Sequence, residues 1–171
     1  MKNLISKISF ILVFAISVNL NAQSSKTIVE NAAGLDDFST LVTAVKAADL
    51  VDVLSSKGPF TVFAPVNSAF DKLPEGTVNN LLKPENKSTL QAVLTYHVVK
   101  GDLKAKDVIA AVKQNGGKLA VETVQGGKLT VMLKDGGVVL MDSKGNYSKI
   151  VKTDVNSSNG VIHVIDTVVM P

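Results

Sequence analysis

Residues 115–142 read NGGKLAVETVQGGKLTVMLKDGGVVLMD, and paired glycines at 116–117, 126–127 and 136–137 cut this stretch into short apolar-rich runs. Paired glycines tolerate the positive φ angles that tight hairpins require, so each pair is expected to mark a turn. Between the turns the pattern is that of strands. In KLTVMLK, Leu129, Val131 and Leu133 alternate with Lys128, Thr130 and Lys134, which predicts one buried face and one wet face. The whole stretch reads as an antiparallel meander. The repeated GGKL phrase at 116–119 and 126–129 is repeated turn chemistry, not a duplicated domain.

Upstream of the meander the periodicity changes. AKDVIAAVKQ before it predicts a short helix, and from Ser25 to Ser56 apolar residues recur at helical intervals. Phe38, Leu41, Val42 and Val45 share one face, and Leu50, Val53 and Leu54 resume it after a break near 47–49. Asp36 or Asp37 is expected to cap the first of these helices. FTVFAP (60–65) predicts a buried strand stopped by Pro65, with Asn67 placed to cap a brief helix after it. Two more helical segments follow, the second from about Ser88 to Thr95, and it gives way to extended chain at LTYHVVKG. Downstream of the meander, YSKIVKTDV and GVIHVIDTVVM predict two further strands, the last too apolar to be an exposed edge. Helices first and strands mostly later give an α+β class, a sheet or sandwich covered by helices.

The N-terminus, MKNLISKISFILVFAISVNLNAQ, sets Lys2 and Lys7 before an apolar run from Ile8 to Val18. That is the layout of a secretory signal peptide, with cleavage expected after Ala22, and the run is shorter than the ~20 residues a membrane-spanning helix needs. The expected division is a signal peptide at 1–22 and a single domain at 23–171. No membrane span is expected after cleavage, and the destination is secreted or periplasmic. The chain contains no cysteine, which excludes disulfides, thiol chemistry and an acylated lipoprotein cysteine.

The formal charge of +3 falls on maturation, because removing Lys2 and Lys7 leaves 18 − 2 = 16 basic residues against 15 acidic ones. All the basic residues are lysines. Without the forked guanidinium that grips phosphate and guanine edges, without tryptophan and with few aromatics, nucleic-acid binding is a poor reading.

Catalytic signatures are missing: there is no G-x-S-x-G elbow, phosphate loop or H-E-x-x-H pair. His97 and His163 both lie in apolar runs, and two strands could bring them together as metal ligands, but no third ligand stands near either in sequence. Buried imidazoles hydrogen-bonded to backbone or a polar side chain are the stronger reading, since buried polar groups are nearly always paired. DVNSSNG (154–160) fails as a calcium loop, having Asn159 at the sixth position and Ile165 at the twelfth. No metal or cofactor is expected. Lys100-Gly101-Asp102 is similar to integrin-recognition tripeptides, a weak signal at three residues.

Three segments taken together, FTVFAPVNSAFDKLP (60–74), LTYHVV (94–99) and SNGVIHVIDTVVMP (158–171), resemble in order and spacing the conserved blocks of the fasciclin, or FAS1, domain. The resemblance covers essentially the whole chain after the signal. It implies a compact wedge, a β-sandwich-like core of roughly seven strands packed with several short α-helices. It also implies a non-enzymatic adhesion or interaction module whose partners are cell-surface or matrix proteins or polysaccharides, and a monomer is expected. A secreted or periplasmic small-ligand carrier is the alternative. Tyr96 and His97 resemble the family's Tyr-His pair, and His163 lies in its last conserved strand, all three with mainly structural roles. Asp154-Val155 corresponds to an Asp-Ile pair through which some animal members bind integrins. The competing role for Asp154 is to satisfy a turn before the last strand.

Overall fold

The computed structural model describes residues 25–171. The expected signal peptide at 1–22 lies outside the described residues. Among the described residues no helix is long and apolar enough to cross a membrane.

The first helix, α1 (Ile28–Ala33), starts at Thr27, whose hydroxyl accepts the Glu30 N–H while the Glu30 carboxylate accepts the Thr27 N–H. This reciprocal pair is a capping box, and it satisfies donors that a helix start otherwise leaves open. A 3₁₀ turn at Asp36–Phe38 leads into α2 (Ser39–Ala47), and α3 (Val51–Ser55) follows the break at 48–50. Asp36 and Asp37, expected to cap the helix here, lie inside the 3₁₀ turn instead. The start of α2 is satisfied from a distance: Asn67 Oδ1 accepts the Thr40 N–H at 3.0 Å while Asn67 Nδ2 donates to the Asp36 carbonyl at 2.8 Å. Asn67 makes no cap of its own helix, α4 (Asn67–Phe70), which corrects the local reading.

The remaining elements are β1 (Phe60–Pro65), α5 (Thr77–Leu81), α6 (Lys87–Tyr96), β2 (Val98–Lys100), α7 (Ala105–Gln114), β3 (Lys118–Glu122), β4 (Lys128–Lys134), β5 (Gly137–Met141), β6 (Tyr147–Ser157) and β7 (Gly160–Ile165). The seven strands run in the order β2-β1-β7-β6-β5-β4-β3. Only β1 and β7 are parallel; β3 to β6 form the antiparallel meander. The two ends of the sheet approach each other, since Val99 bridges Thr123 and the Val124 N–H donates to the Val98 carbonyl at 2.7 Å. The sheet therefore nearly closes. β6 belongs to both halves, pairing with β5 and then with β7, and register shifts between 150 and 155 let it bend between them.

Two cores lie on opposite sides of β1 and β7. Val62, Ala64, Ile162 and Val164 pack under α1, α2, α3 and α6, whereas Phe63 and Ile165 point into the meander side with Val112, Leu129, Val131 and Leu140. Strands buried on both faces read as continuous apolar runs rather than alternating ones, which is why FTVFAP and GVIHVI look as they do. β7 sits between β1 and β6, as its apolarity predicts.

Two local expectations fail for identifiable reasons. The first glycine pair does not close a hairpin: Gly116 (φ 69°) and Gly117 (φ 89°) end α7, with the Gly117 N–H donating to the Val112 carbonyl at 2.8 Å. That is the bond pattern of a left-handed helix stop, which asks for the same residue type as a tight turn. Leu133, expected in the core, is 37% exposed, while Met132 on the opposite face is 7% exposed. Leu133 stands one residue pair from the Asp135-Gly136 turn, at the rim of the sheet, whereas Met132 lies between Lys118 and Val139 within it.

Candidate functional site

Tyr96 and His97 close α6. Tyr96 is fully buried, and its hydroxyl donates to the Lys128 carbonyl at 2.7 Å and accepts the Ser143 N–H at 3.1 Å. Burial pushes the phenol pKa up. The last carbonyls of a helix lack partners inside it. Here the His97 N–H turns to the Leu94 carbonyl, and the His97 ring takes the Val93 carbonyl through Nδ1 at 2.8 Å. Its Nε2 accepts the Val169 N–H at 3.2 Å. A carbonyl only accepts and a backbone N–H only donates, so these partners assign the proton to Nδ1 and make the ring neutral. Desolvation drives the His97 pKa down to about 4, against the smaller upward pull of the Val93 carbonyl.

His163 is buried to the same degree as His97, but at a different seam. Its Nε2–H donates to the Leu103 carbonyl at 2.7 Å, Nδ1 accepts the Asp154 N–H at 3.3 Å, and the ring stacks on Phe63 with centroids 5.7 Å apart. Asp154 occupies the irregular part of β6 at φ 57°, and its Oδ1 accepts the Ala105 N–H at 2.9 Å. The local residue before α7, Lys104, makes no side-chain cap, so Asp154 satisfies that helix start from another strand. Val155 pairs with Ile162 and packs against the helix-side core. Both nitrogens of both imidazoles thus have protein partners. The two rings do not share a site, and no lone pair is left over on either for a metal or a substrate proton.

The turn after Val155 forms the wall of a polar cleft of ≈ 740 Å³ that lies between residues 55–59, the 102–104 loop and residues 156–160. Asn159 anchors the wall: its Nδ2 donates to the Leu54 and Ser56 carbonyls at 2.7 and 3.0 Å, and its Oδ1 accepts the Ile28 N–H at 2.9 Å. Gly160 brings the turn against β1 so closely that a Cβ there would lie 1.9 Å from the Phe60 carbonyl oxygen. Opposite, the buried Thr61 hydroxyl donates to the Gly101 carbonyl at 2.7 Å and accepts the Leu103 N–H at 2.9 Å, which fixes the loop carrying Asp102 and Lys104. Asp102 and Lys104 approach to 3.8 Å at the rim, both half exposed. The cleft therefore offers hydroxyls, amides, ammonium groups and one carboxylate on a rigid frame. A second, apolar slot beneath α1 and α2, bordered by Phe63 and His97, holds only ≈ 30 Å³.

Asn159 and Thr61 were not readable as site residues, nor was the distant helix start that Asn67 serves. Each of the three serves backbone atoms 27 to 131 residues away, and sequence offers only the weak signal that Asn suits caps and turns.

The Fasciclin domain profile matches residues 36–171. Protein sll1483 of Synechocystis is 54% identical over 148 residues, spanning 86% of this chain and 75% of that protein. The transforming growth factor-beta-induced protein ig-h3 of Sus scrofa is 35% identical over 145 residues, 85% of this chain but 19% of that protein. A solved FAS1 domain pair from the insect cell adhesion molecule fasciclin I superposes with a TM-score of 0.76 at 19% identity, covering 86% of this chain and 52% of that one. The near-closed seven-stranded sheet with its helical cover is the fold of that pair, the profile spans most of the described residues, and the chain belongs to the fasciclin domain family.

Proposed function

We propose that this protein is an exported, non-enzymatic adhesion module, a single domain at 23–171 released from a signal peptide at 1–22, that holds a cell-surface or matrix partner through its polar cleft. The observation that carries this reading is the cleft itself: Asp102, Lys104 and the Asn156–Gly160 turn present polar groups on a frame fixed by Asn159 and Thr61. Rigid presentation reduces the ordering cost of binding. Asp154 and Val155 immediately precede the 156–160 wall and do not line the cleft; Asp154 serves the cleft by holding the start of α7, next to the 102–104 loop, against β6. Histidines with both nitrogens occupied support a function without turnover. The apolar slot, with room for about one water, speaks against a carrier of small organic ligands. Names among the relatives point the same way, since fasciclin I is described as a cell adhesion molecule.

A single module of this kind binds weakly, and multivalent display amplifies the interaction. The test is retention of cells and of solubilised envelope material on beads carrying many copies of the chain. Replacing Asp102 and Lys104 together by alanine is expected to abolish retention without changing the melting temperature. Beads of the unaltered chain that retain neither cells nor envelope material would sink the proposal.

A further inference from the structure

The strand register places four lysines on one face of the meander. Side chains on a strand alternate between faces, so Lys118, Ala120 and Glu122 of β3 share a face with Lys128, Thr130, Met132 and Lys134 of β4 through their cross-strand pairs. The same registers continue to Gly137, Val139 and Met141 of β5 and to Tyr147 and Lys149 of β6. This is the outer face, because Leu129, Val131 and Leu140 of the alternate set fill the core. Met132 and Val139 are buried yet belong to none of the core clusters, and they lie in one row between Lys118 and Lys149. Lysine stems cover apolar surface of this kind while keeping their ammonium groups in water.

Only Lys128 of the four faces a carboxylate across the ladder, that of Glu122, and none of the four ammonium groups is in an ion pair. Among the described residues the ion pairs involve Lys72, Lys83, Lys87 and Lys104, and none of the four lysines on this face. Glu122 is the single carboxylate among the face positions, and Lys134 lies 4.2 Å from the centre of the Tyr147 ring, which is 47% exposed. With neighbouring strands ~4.8 Å apart and residues rising ~3.3 Å, the row from Lys118 to Lys149 spans about 14 Å and Lys128 to Lys134 about 20 Å. The chain thus gathers positive charge free of ion pairs on one face of the sheet, and none of the four lysines lines the polar cleft.

We infer that the outer face of β3 to β6 is a docking surface for an acidic polysaccharide. Spaced point charges along one sheet face match a polymer bearing a carboxylate on each sugar, and the half-exposed Tyr147 ring, on the side that Lys134 leaves open, supplies an apolar plane against a sugar face. The absence of arginine argues against a phosphate-gripping nucleic-acid surface. On β3 to β6 the large exposed apolar side chains are Leu133, which belongs to the opposite face of β4, Tyr147 and Val151, too few to seat this face in a lipid interface.

The test immobilises polygalacturonate and neutral dextran and measures retention of the full chain over a salt series. Retention is expected on polygalacturonate alone and is expected to vanish near about 1 M NaCl, where the screening length is about 3 Å. The combined variant Lys118→Gln, Lys128→Gln, Lys134→Gln and Lys149→Gln is expected to bind about tenfold more weakly or worse, because the charges act together. A control with Lys46, Lys83, Lys87 and Lys106 changed to glutamine carries the same net charge and is expected to bind as the unaltered chain does. If the fourfold variant does not fold, the pair Lys118→Gln and Lys149→Gln, at the ends of one row, gives the same comparison at about threefold. No retention of the unaltered chain, equal losses in variant and control, or equal or tighter retention on duplex DNA or phosphatidylserine vesicles overturns the inference.

Discussion

His97 and His163 are equally buried and equally satisfied, yet they hold different things together. His97 ties the last turn of α6 to the segment after β7, inside the core, through the Val93 carbonyl and the Val169 N–H. His163 ties β7 to the irregular stretch of β6 and to the loop before α7, beside the cleft wall. An imidazole in a strand-like apolar run therefore carries no single meaning. One maintains the packing of a helix on the sheet, while the other sets the relative position of the loops beside the polar cleft.

The comparison predicts the largest effect at His97. His97→Ala leaves the Val93 carbonyl and the Val169 N–H buried without partners and opens a cavity, a loss expected at about 3–4 kcal/mol in a urea-unfolding measurement. The same ring gives a pH signature. Its folded pKa of about 4 lies below its ordinary 6.5, so between those values the unfolded chain binds the proton and the folded chain does not. Stability is then complete above pH 6.5 and falls as pH drops toward 4, by about 3 kcal/mol from this group alone. The His97→Ala protein is expected to lose that slope, and a slope unchanged by the substitution would assign the acid sensitivity to other groups.

At His163 the balance reverses. His163→Ala is expected to cost about 2 kcal/mol, since Leu103 and Asp154 are only partly buried and water can replace part of what the ring supplies. Retention on cells or envelope material is expected to fall at temperatures where the variant remains folded, because the 102–104 loop loses its tether. His97→Ala under the same conditions is expected to retain its partner. Equal effects of the two substitutions on stability and retention would erase the distinction.

How far the sequence carried this picture follows from the range over which each interaction acts. The handover from α6 to β2 at Tyr96-His97 was readable because a helical period ends and an extended run begins within the same few residues. The meander was readable because turn and strand chemistry are local. Asn67 was expected by residue type to cap its own short helix, yet it serves α2, because a cap requires only that an acceptor arrive at an open N–H, whatever its place in the chain. The same holds for Asn159 on α1 and Asp154 on α7. Fold class is written in local periods, whereas the cleft is built from contacts between segments 40 to 131 residues apart in the chain.

Asp154 gives the smallest and finest test of this difference between seams. Its carboxylate accepts the Ala105 N–H, while its backbone holds φ 57° and donates to His163. Asp154→Ala removes the cap and places an ordinary Cβ residue in the left-handed region, together about 1–2 kcal/mol. Asp154→Asn keeps an acceptor oxygen and a side chain that tolerates that conformation, so its unfolding midpoint is expected to stay close to that of the unaltered chain. If Asp154 acts by position, Asp154→Asn also retains cells and envelope material. If its negative charge contacts the partner directly, Asp154→Asn loses retention at unchanged stability, and the binding surface then extends from the cleft onto the bulge of β6.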